Sequence, residues 1–242
     1  GDKSFARFTA ADKERQLEEA LLLDDPVTEI PIALEVNYFQ LSRAEYFVPV
    51  AVKVPGSELV RAKRGGASRT QIDVIGEIKY DFGITQQNVR DKLDIKLDDA
   101  TAAQLATRPI QYETGFTLLP GKYVLKFLIR DAETGRMGTY QAAFTVPNLM
   151  REVTKLPTSS VVLSSQRVPL SEALLSTRAS ALAVHPLVSN GQKLVPSVTR
   201  VFSRSRDLYV FLQAYERDAT ATRPIAVFAS FFLLGLLASP SF

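Results

Sequence analysis

The chain opens with a helical period and then changes to a period of two. Leu17, Ala20 and Leu21 fall on one face of a segment that starts at a cap-like Thr9 with Asp12 three residues later and ends at Asp24-Asp25-Pro26. One amphipathic helix is predicted over residues 10–23. From Ile30 the apolar positions alternate: Ile30, Ile32, Leu34, Val36 and Tyr38, then Tyr46, Val48, Val50, Val52 and Val54. Each run predicts a half-buried strand. Pro55-Gly56-Ser57 closes the second run, and Arg61 to Arg69 reads as an exposed basic turn. Ile72, Val74, Ile78 and Tyr80 give a third strand, Asp81-Phe82-Gly83 a turn, and Ile84 to Leu97 a fourth strand with irregularities. The Ala-rich stretch Asp98–Thr107 predicts a short helix crossing between sheets, and strands follow at 110–119, 122–130 and 136–146.

About seven strands in about 120 residues, joined by short turns, is the pattern of an immunoglobulin-like β-sandwich. Tyr123 follows Pro120-Gly121, where such sandwiches place a corner tyrosine. The expected fold is therefore mainly β: a helical entry segment over 1–26, an immunoglobulin-like β-sandwich over 27–147 and a linker over 148–157. A second β-rich unit over 158–242 is expected to be incomplete. Its strand candidates are Ser159–Ser165, Lys193–Phe202, Leu208–Tyr215 and Ile225–Leu237, and the stretch Pro169–Gly191 is expected to be a loop. Two of these segments echo the first half in order and spacing, but no second Pro-Gly-x-Tyr hairpin follows.

Charge separates the halves. Residues 1–150 carry 19 basic and 21 acidic side chains, and residues 151–242 carry 10 and 5, so net charge moves from −2 to +5. This fits two units, but no Lys/Arg run is interleaved with stacking aromatics, and no nucleic-acid partner is expected. Cysteine is absent, which excludes disulfides and thiolate chemistry. The start Gly1-Asp-Lys-Ser is polar with no apolar run before Leu21, so it reads as a boundary within a longer protein rather than a signal peptide.

Candidate chemistry is sparse. His185, the single histidine, sits beside Pro186 in a predicted loop and is expected to be solvated. With one histidine and no Gly-x-Ser-x-Gly elbow, neither a metal cluster nor a Ser-His-Asp triad is supported, and Ser165 and Ser205 read as ordinary serines. The carboxylate pair Asp98-Asp99 reads as helix capping, and Asp24-Asp25 as a turn before Pro26. Gly65-Gly66 reads as a surface hairpin rather than a phosphate loop. No catalytic residue, metal ligand or cofactor is expected.

Two surfaces are candidates for binding. Arg200, Arg204 and Arg206 form the densest basic patch of the second half, and at alternating strand positions Arg204 and Arg206 would share a face able to hold a carboxylate, sulfate or envelope glycan. The run Ile225–Ala238 has no charge, contains Phe228, Phe231 and Phe232, and is shorter than a membrane helix requires. It predicts a buried strand covered by the first unit, or by a second copy of the chain in a homo-oligomer.

Taken together, Tyr46-Phe-Val-Pro-Val, Pro55-Gly-Ser-Glu-Leu59, Asn88-Val-Arg-Asp91, the Thr114–Tyr123 hairpin, Thr134-Gly-Arg-Met-Gly-Thr139, Ser159–Arg167 and Pro196–Phe202 resemble the region C-terminal to the von Willebrand A module in bacterial von Willebrand A-related (VWFA-related) proteins. The resemblance runs from about Phe8 to Val210 and implies a periplasmic or extracellular setting. It does not extend to the A module's metal motif Asp-x-Ser-x-Ser, which is absent. Beyond about Pro224 the chain departs from the family's pattern. The expectation is a non-catalytic structural or protein-interaction module, partnered by another protein or by its own domains. A glycan- or anion-binding module, using the arginine face, is the second reading. A hydrolase using the scattered carboxylates is the third.

Overall fold

The computed structural model describes residues 10–23, 25–58, 69–96, 98–107, 109–151, 155–170, 185–216, 226 and 228. Its first half contains helix α1 (Ala10–Leu22) and strands β1 (Ala33–Val36), β2 (Phe39–Gln40), β3 (Tyr46–Val54), β4 (Arg69–Tyr80) and β5 (Thr85–Lys96). Helix α2 (Asp99–Thr107) and strands β6 (Ile110–Leu118), β7 (Gly121–Asp131) and β8 (Met137–Val146) complete it. These positions follow the apolar alternation closely. In β3 the even-numbered residues from Tyr46 to Val54 are buried in the core and the odd-numbered ones face away.

Two antiparallel sheets result. One has the order β5-β4-β7-β8. The other has β3 at its centre, with β6 along one edge and β1 and β2 sharing the other. Helix α2 carries the chain from the edge strand β5 of one sheet to the edge strand β6 of the other. Between the sheets lies a core drawn from both inner faces, including Val48, Val50 and Val52 of β3, Tyr112 and Phe116 of β6, Val74 and Ile78 of β4, and Leu125 and Phe127 of β7. Each such aliphatic side chain contributes about 1.5–3 kcal/mol by leaving water. This is the immunoglobulin-like sandwich that the alternation predicts.

Tyr123 fixes the corner between β6 and β7. Its hydroxyl donates to the Leu119 carbonyl four residues upstream (2.8 Å), and burial, reinforced by Tyr80, pushes its pKa up to about 12. Helix α1 lies on the outer face of the four-stranded sheet, where Leu17 and Ala20 pack on Ile75 and Leu128. Between α1 and β1 the chain switches sheets. Residues 27–30 pair along the open edge of β8, with Ile30 N–H donating to the Met137 carbonyl (2.9 Å) and Thr139 N–H to the Val27 carbonyl (2.8 Å). The strand expected to start at Ile30 therefore begins only at Ala33, after Pro31, which has no N–H for a ladder.

The second half forms β9 (Val162–Ser164), β10 (Arg167–Pro169), β11 (Val188–Ser189), β12 (Gln192–Leu194) and β13 (Tyr209–Phe211). Strand β9 pairs with β13, and β10-β12-β11 form a small antiparallel sheet. The predicted strand over 193–202 ends at Leu194. Pro196 breaks the ladder, and Ser197 to Arg200 and Ser203 to Arg206 form tight turns, with i to i+3 hydrogen bonds of 2.9 and 3.3 Å. Within the predicted loop 169–191, Asn190 and Gly191 both have positive φ (52° and 71°), turning the β11–β12 hairpin. The predicted basic turn at 61–69, apart from Arg69, lies outside the described residues. So does the predicted strand 225–237, apart from Ala226 and Phe228.

The second half is laid on the outer face of the β3-centred sheet. Phe39 is buried with Val162, Leu187 and Leu194, and Phe47, Tyr209 and Phe211 pack against them. Tyr38 and Ser160 exchange hydrogen bonds through Tyr38 N–H to Ser160 Oγ (3.0 Å) and Ser160 N–H to the Tyr38 carbonyl (3.1 Å). The Tyr215 hydroxyl accepts from Gln40 N–H (2.8 Å). No helix among the described residues is long and apolar enough to cross a membrane.

Candidate functional site

The site is the seam between the β3-centred sheet and the second half, together with the groove beside it. Because Val50 and Val52 point into the sandwich, Ala51 between them points out, as do its cross-strand partners Glu35 on β1 and Glu113 on β6. Ala51 thus separates two carboxylates in one row. All three residues are buried, because the second half covers them.

Each carboxylate has a different partner. Glu113 meets Lys193 of β12 at 2.5 Å, with side-chain exposures of 8% and 2%, so both charges are withdrawn from water together. Gln111 Nε2 adds a hydrogen bond to Glu113 (3.1 Å). Glu35 accepts from Asn37 Nδ2 (3.0 Å) and has Arg200 at 3.8 Å, while its Oε2 is buried without a hydrogen bond. Burial raises the Glu35 pKa; the Asn37 hydrogen bond and Arg200 oppose the rise, and Glu113 adds to it.

His185 stands in the same seam. The sequence predicts a solvated loop side chain, but the ring is buried, packs edge-on against Phe47 at 5.1 Å and accepts from Leu187 N–H through Nδ1 (3.2 Å). Burial, with Lys193 nearby, lowers its pKa to about 4, so the imidazole is neutral at physiological pH. The same folding over of the second half that hides Glu113 hides His185.

Beside the seam runs a groove of about 1120 Å³. Lys53 and Gln111 of the sandwich form one wall; Arg167 of β10, Arg206 and Tyr209 contribute to the other. The Arg167 guanidinium lies 4.7 Å above the Tyr209 ring. Lys53 Nζ bridges to Thr199 Oγ1 (3.3 Å).

None of the three arginines named from sequence lies on a strand. Arg204 and Arg206 lie in a turn rather than on a strand, so alternation does not bring them together. Arg200, with φ 51°, approaches Glu35; Arg206 lines the groove; Arg204 is exposed and is not part of the groove wall. Phe228 is 92% exposed, and Phe231 and Phe232 lie outside the described residues. Ser165 follows β9 in a bend, and the Ser203 and Ser205 hydroxyls are hydrogen-bonded to each other (2.8 Å). Asp98 precedes α2, its carbonyl accepting from Ala102 N–H (2.9 Å), and Asp99 lies in the first turn, as capping requires. Among the described residues no group of three or more His, Cys, Asp or Glu side chains is placed to hold a metal ion.

Sequence reasoning missed Glu35, Glu113, Lys193 and Arg167. Glu35 and Glu113 occupy the polar phase of alternating strands, which ordinarily faces water. The Asn190-Gly191 turn was the one local indication that Lys193 sits on a hairpin.

The fold defines the class, an immunoglobulin-like β-sandwich protein with an added C-terminal layer. Among solved structures, the chain is similar to a β-glucuronidase of Bacteroides uniformis, with 12% identity and a TM-score of 0.34 over 47% of this chain and 13% of that one. It is likewise similar to a putative β-galactosidase of Bacteroides fragilis, with 14% identity and a TM-score of 0.33 over 47% of this chain and 16% of that one. The putative ApaA protein of Bordetella pertussis matches at 14% identity and a TM-score of 0.30, over 49% of this chain and 92% of that one. The chain thus spans about an eighth of the length of the glucuronidase. No family model and no curated protein matches the chain.

Proposed function

We propose that the chain is a non-catalytic structural or protein-interaction module of an exported bacterial protein. The observation that carries this reading is the buried Glu113–Lys193 pair, which commits the best-placed carboxylate of the sheet to bracing the second half. A glycoside hydrolase ordinarily uses two carboxylates facing substrate across a cleft. Here Glu113 is held by lysine under a layer of chain, and Glu35 is buried beside Asn37 without lining the groove. The export setting rests on the resemblance to von Willebrand A-related proteins, carried by the Thr114–Tyr123 hairpin and the Ser159–Arg167 and Pro196–Phe202 segments.

A braced module unfolds as one body. Calorimetry of the chain should give a single cooperative transition, and Lys193→Met should lower it for both halves together, as followed by hydrogen exchange at β7 and β12. Independent melting of the two halves would overturn the bracing. Turnover of aryl glycosides or aryl esters that disappears in Glu35→Gln or Glu113→Gln would overturn the non-catalytic reading.

A further inference from the structure

We propose that the groove between the sandwich and the second half binds an acidic oligosaccharide, one bearing carboxylate or sulfate groups. Three cations, Lys53, Arg167 and Arg206, line it, and among the described residues no Asp or Glu does. None of the three forms an ion pair with a carboxylate among the described residues, in contrast to Lys193 and Arg136, whose charges are taken up by Glu113 and Glu58. Arg167 already rests over the Tyr209 ring, which restrains its planar fork of donors for a bidentate anion at reduced further entropic cost.

The remaining polar lining argues for a sugar rather than a simple ion or a peptide. Gln111 and Gln166 supply amides, and Ser197, Thr199 and Ser203 hydroxyls, spread along the groove. Such neutral donors and acceptors match a ligand rich in hydroxyl groups. About 1120 Å³ far exceeds the space one ion fills and is slightly larger than the roughly 300–1000 Å³ of sites that enclose small organic ligands. A peptide can add to a strand edge: β9 has both sides occupied, by β13 and by Ser197 N–H, which donates to the Leu163 carbonyl at 2.8 Å, whereas β10 stands at the end of its sheet, so an acidic peptide is set against the sugars in the test.

The test is titration calorimetry of the whole chain with an oligogalacturonate hexamer and a heparin-derived hexasaccharide, against maltohexaose, inorganic sulfate and hexaglutamate. At least one acidic sugar should bind, more weakly as salt rises from 50 to about 150 mM, while maltohexaose and sulfate give no saturable heat. Arg206→Gln, on an exposed turn, should weaken binding about tenfold, and Arg167→Gln with Arg206→Gln should abolish it. Arg204→Gln, outside the groove, should stay within about twofold. Should the double variant fail to fold by circular dichroism, Arg206→Gln decides alone. Absence of binding to both acidic sugars, hexaglutamate binding as tightly as either, or an equal loss in Arg204→Gln would overturn the proposal. A catalytic activity elsewhere on the chain would not.

Discussion

At the scale of single residues, the buried ion pair and the corner tyrosine set the local energetics. Removing Lys193 strands a carboxylate in a site closed to water, so Lys193→Met should cost about 3–5 kcal/mol in guanidinium unfolding. The double change Lys193→Met with Glu113→Leu should recover most of that loss, because both buried charges then disappear together. If the single and double variants are equally unstable, packing rather than charge dominates the seam. Tyr123→Phe keeps the ring in its stack between Tyr80 and Phe144 and deletes the hydrogen bond to the Leu119 carbonyl. Its expected cost is about 1 kcal/mol by the same measurement.

His185 makes stability depend on pH. Its folded pKa of about 4 lies below the ordinary 6.5, so folding favours the neutral ring. The contribution is fully present above pH 6.5 and is lost as pH falls towards 4, at most about 3 kcal/mol. Glu35 acts in the opposite sense, because its raised pKa favours the protonated carboxyl in the fold and its contribution falls as pH rises through the folded value. Stability measured by urea unfolding between pH 7 and 4 should therefore show a smaller fall in His185→Phe than in the parent chain. An unchanged fall would show that His185 is not the group responsible.

At the scale of elements, the sheet edges are managed by the chain itself. Residues 27–30 cover β8, and this needs Gly138: a Cβ there would stand 1.9 Å from the Ile30 carbonyl oxygen. Gly138→Ala should push the entry segment off the edge, with a loss of about 2 kcal/mol or more and faster amide exchange at Ile30 and Thr139. The sandwich elements were legible because each carries its own period or turn. Val48 to Val54 alternate within one strand, Tyr123 to Ile129 form an apolar run broken only by Lys126 directly after the Pro120-Gly121 turn, and α1 repeats at three and four residues. The second half was less legible because its strands are two or three residues long, too short for a period to declare itself.

At the scale of the whole molecule, the structure is a stack: α1, the four-stranded sheet, the β3-centred sheet, and the C-terminal layer. A sandwich ordinarily leaves its outer faces to water, and the sequence pattern assumes it. Here Phe39, Phe47, Ala51 and Glu113 lie beneath the second half instead. The seam and the groove exist only because segments separated by more than fifty residues meet. The basic residues are redistributed by the same meeting of segments: Arg200 is drawn to Glu35 across the seam, while Arg167 of β10 joins Arg206 at the groove.

The sequence by itself determined the sandwich: its strand positions, the helix between its sheets and the corner at Tyr123 are set by local periodicity and turn chemistry. Tertiary structure alone decided which polar residues are buried and which basic residues share a groove. Whether Glu35, Glu113 and His185 meet water depends on what folds over them, and no local pattern of side chains encodes a distant cover.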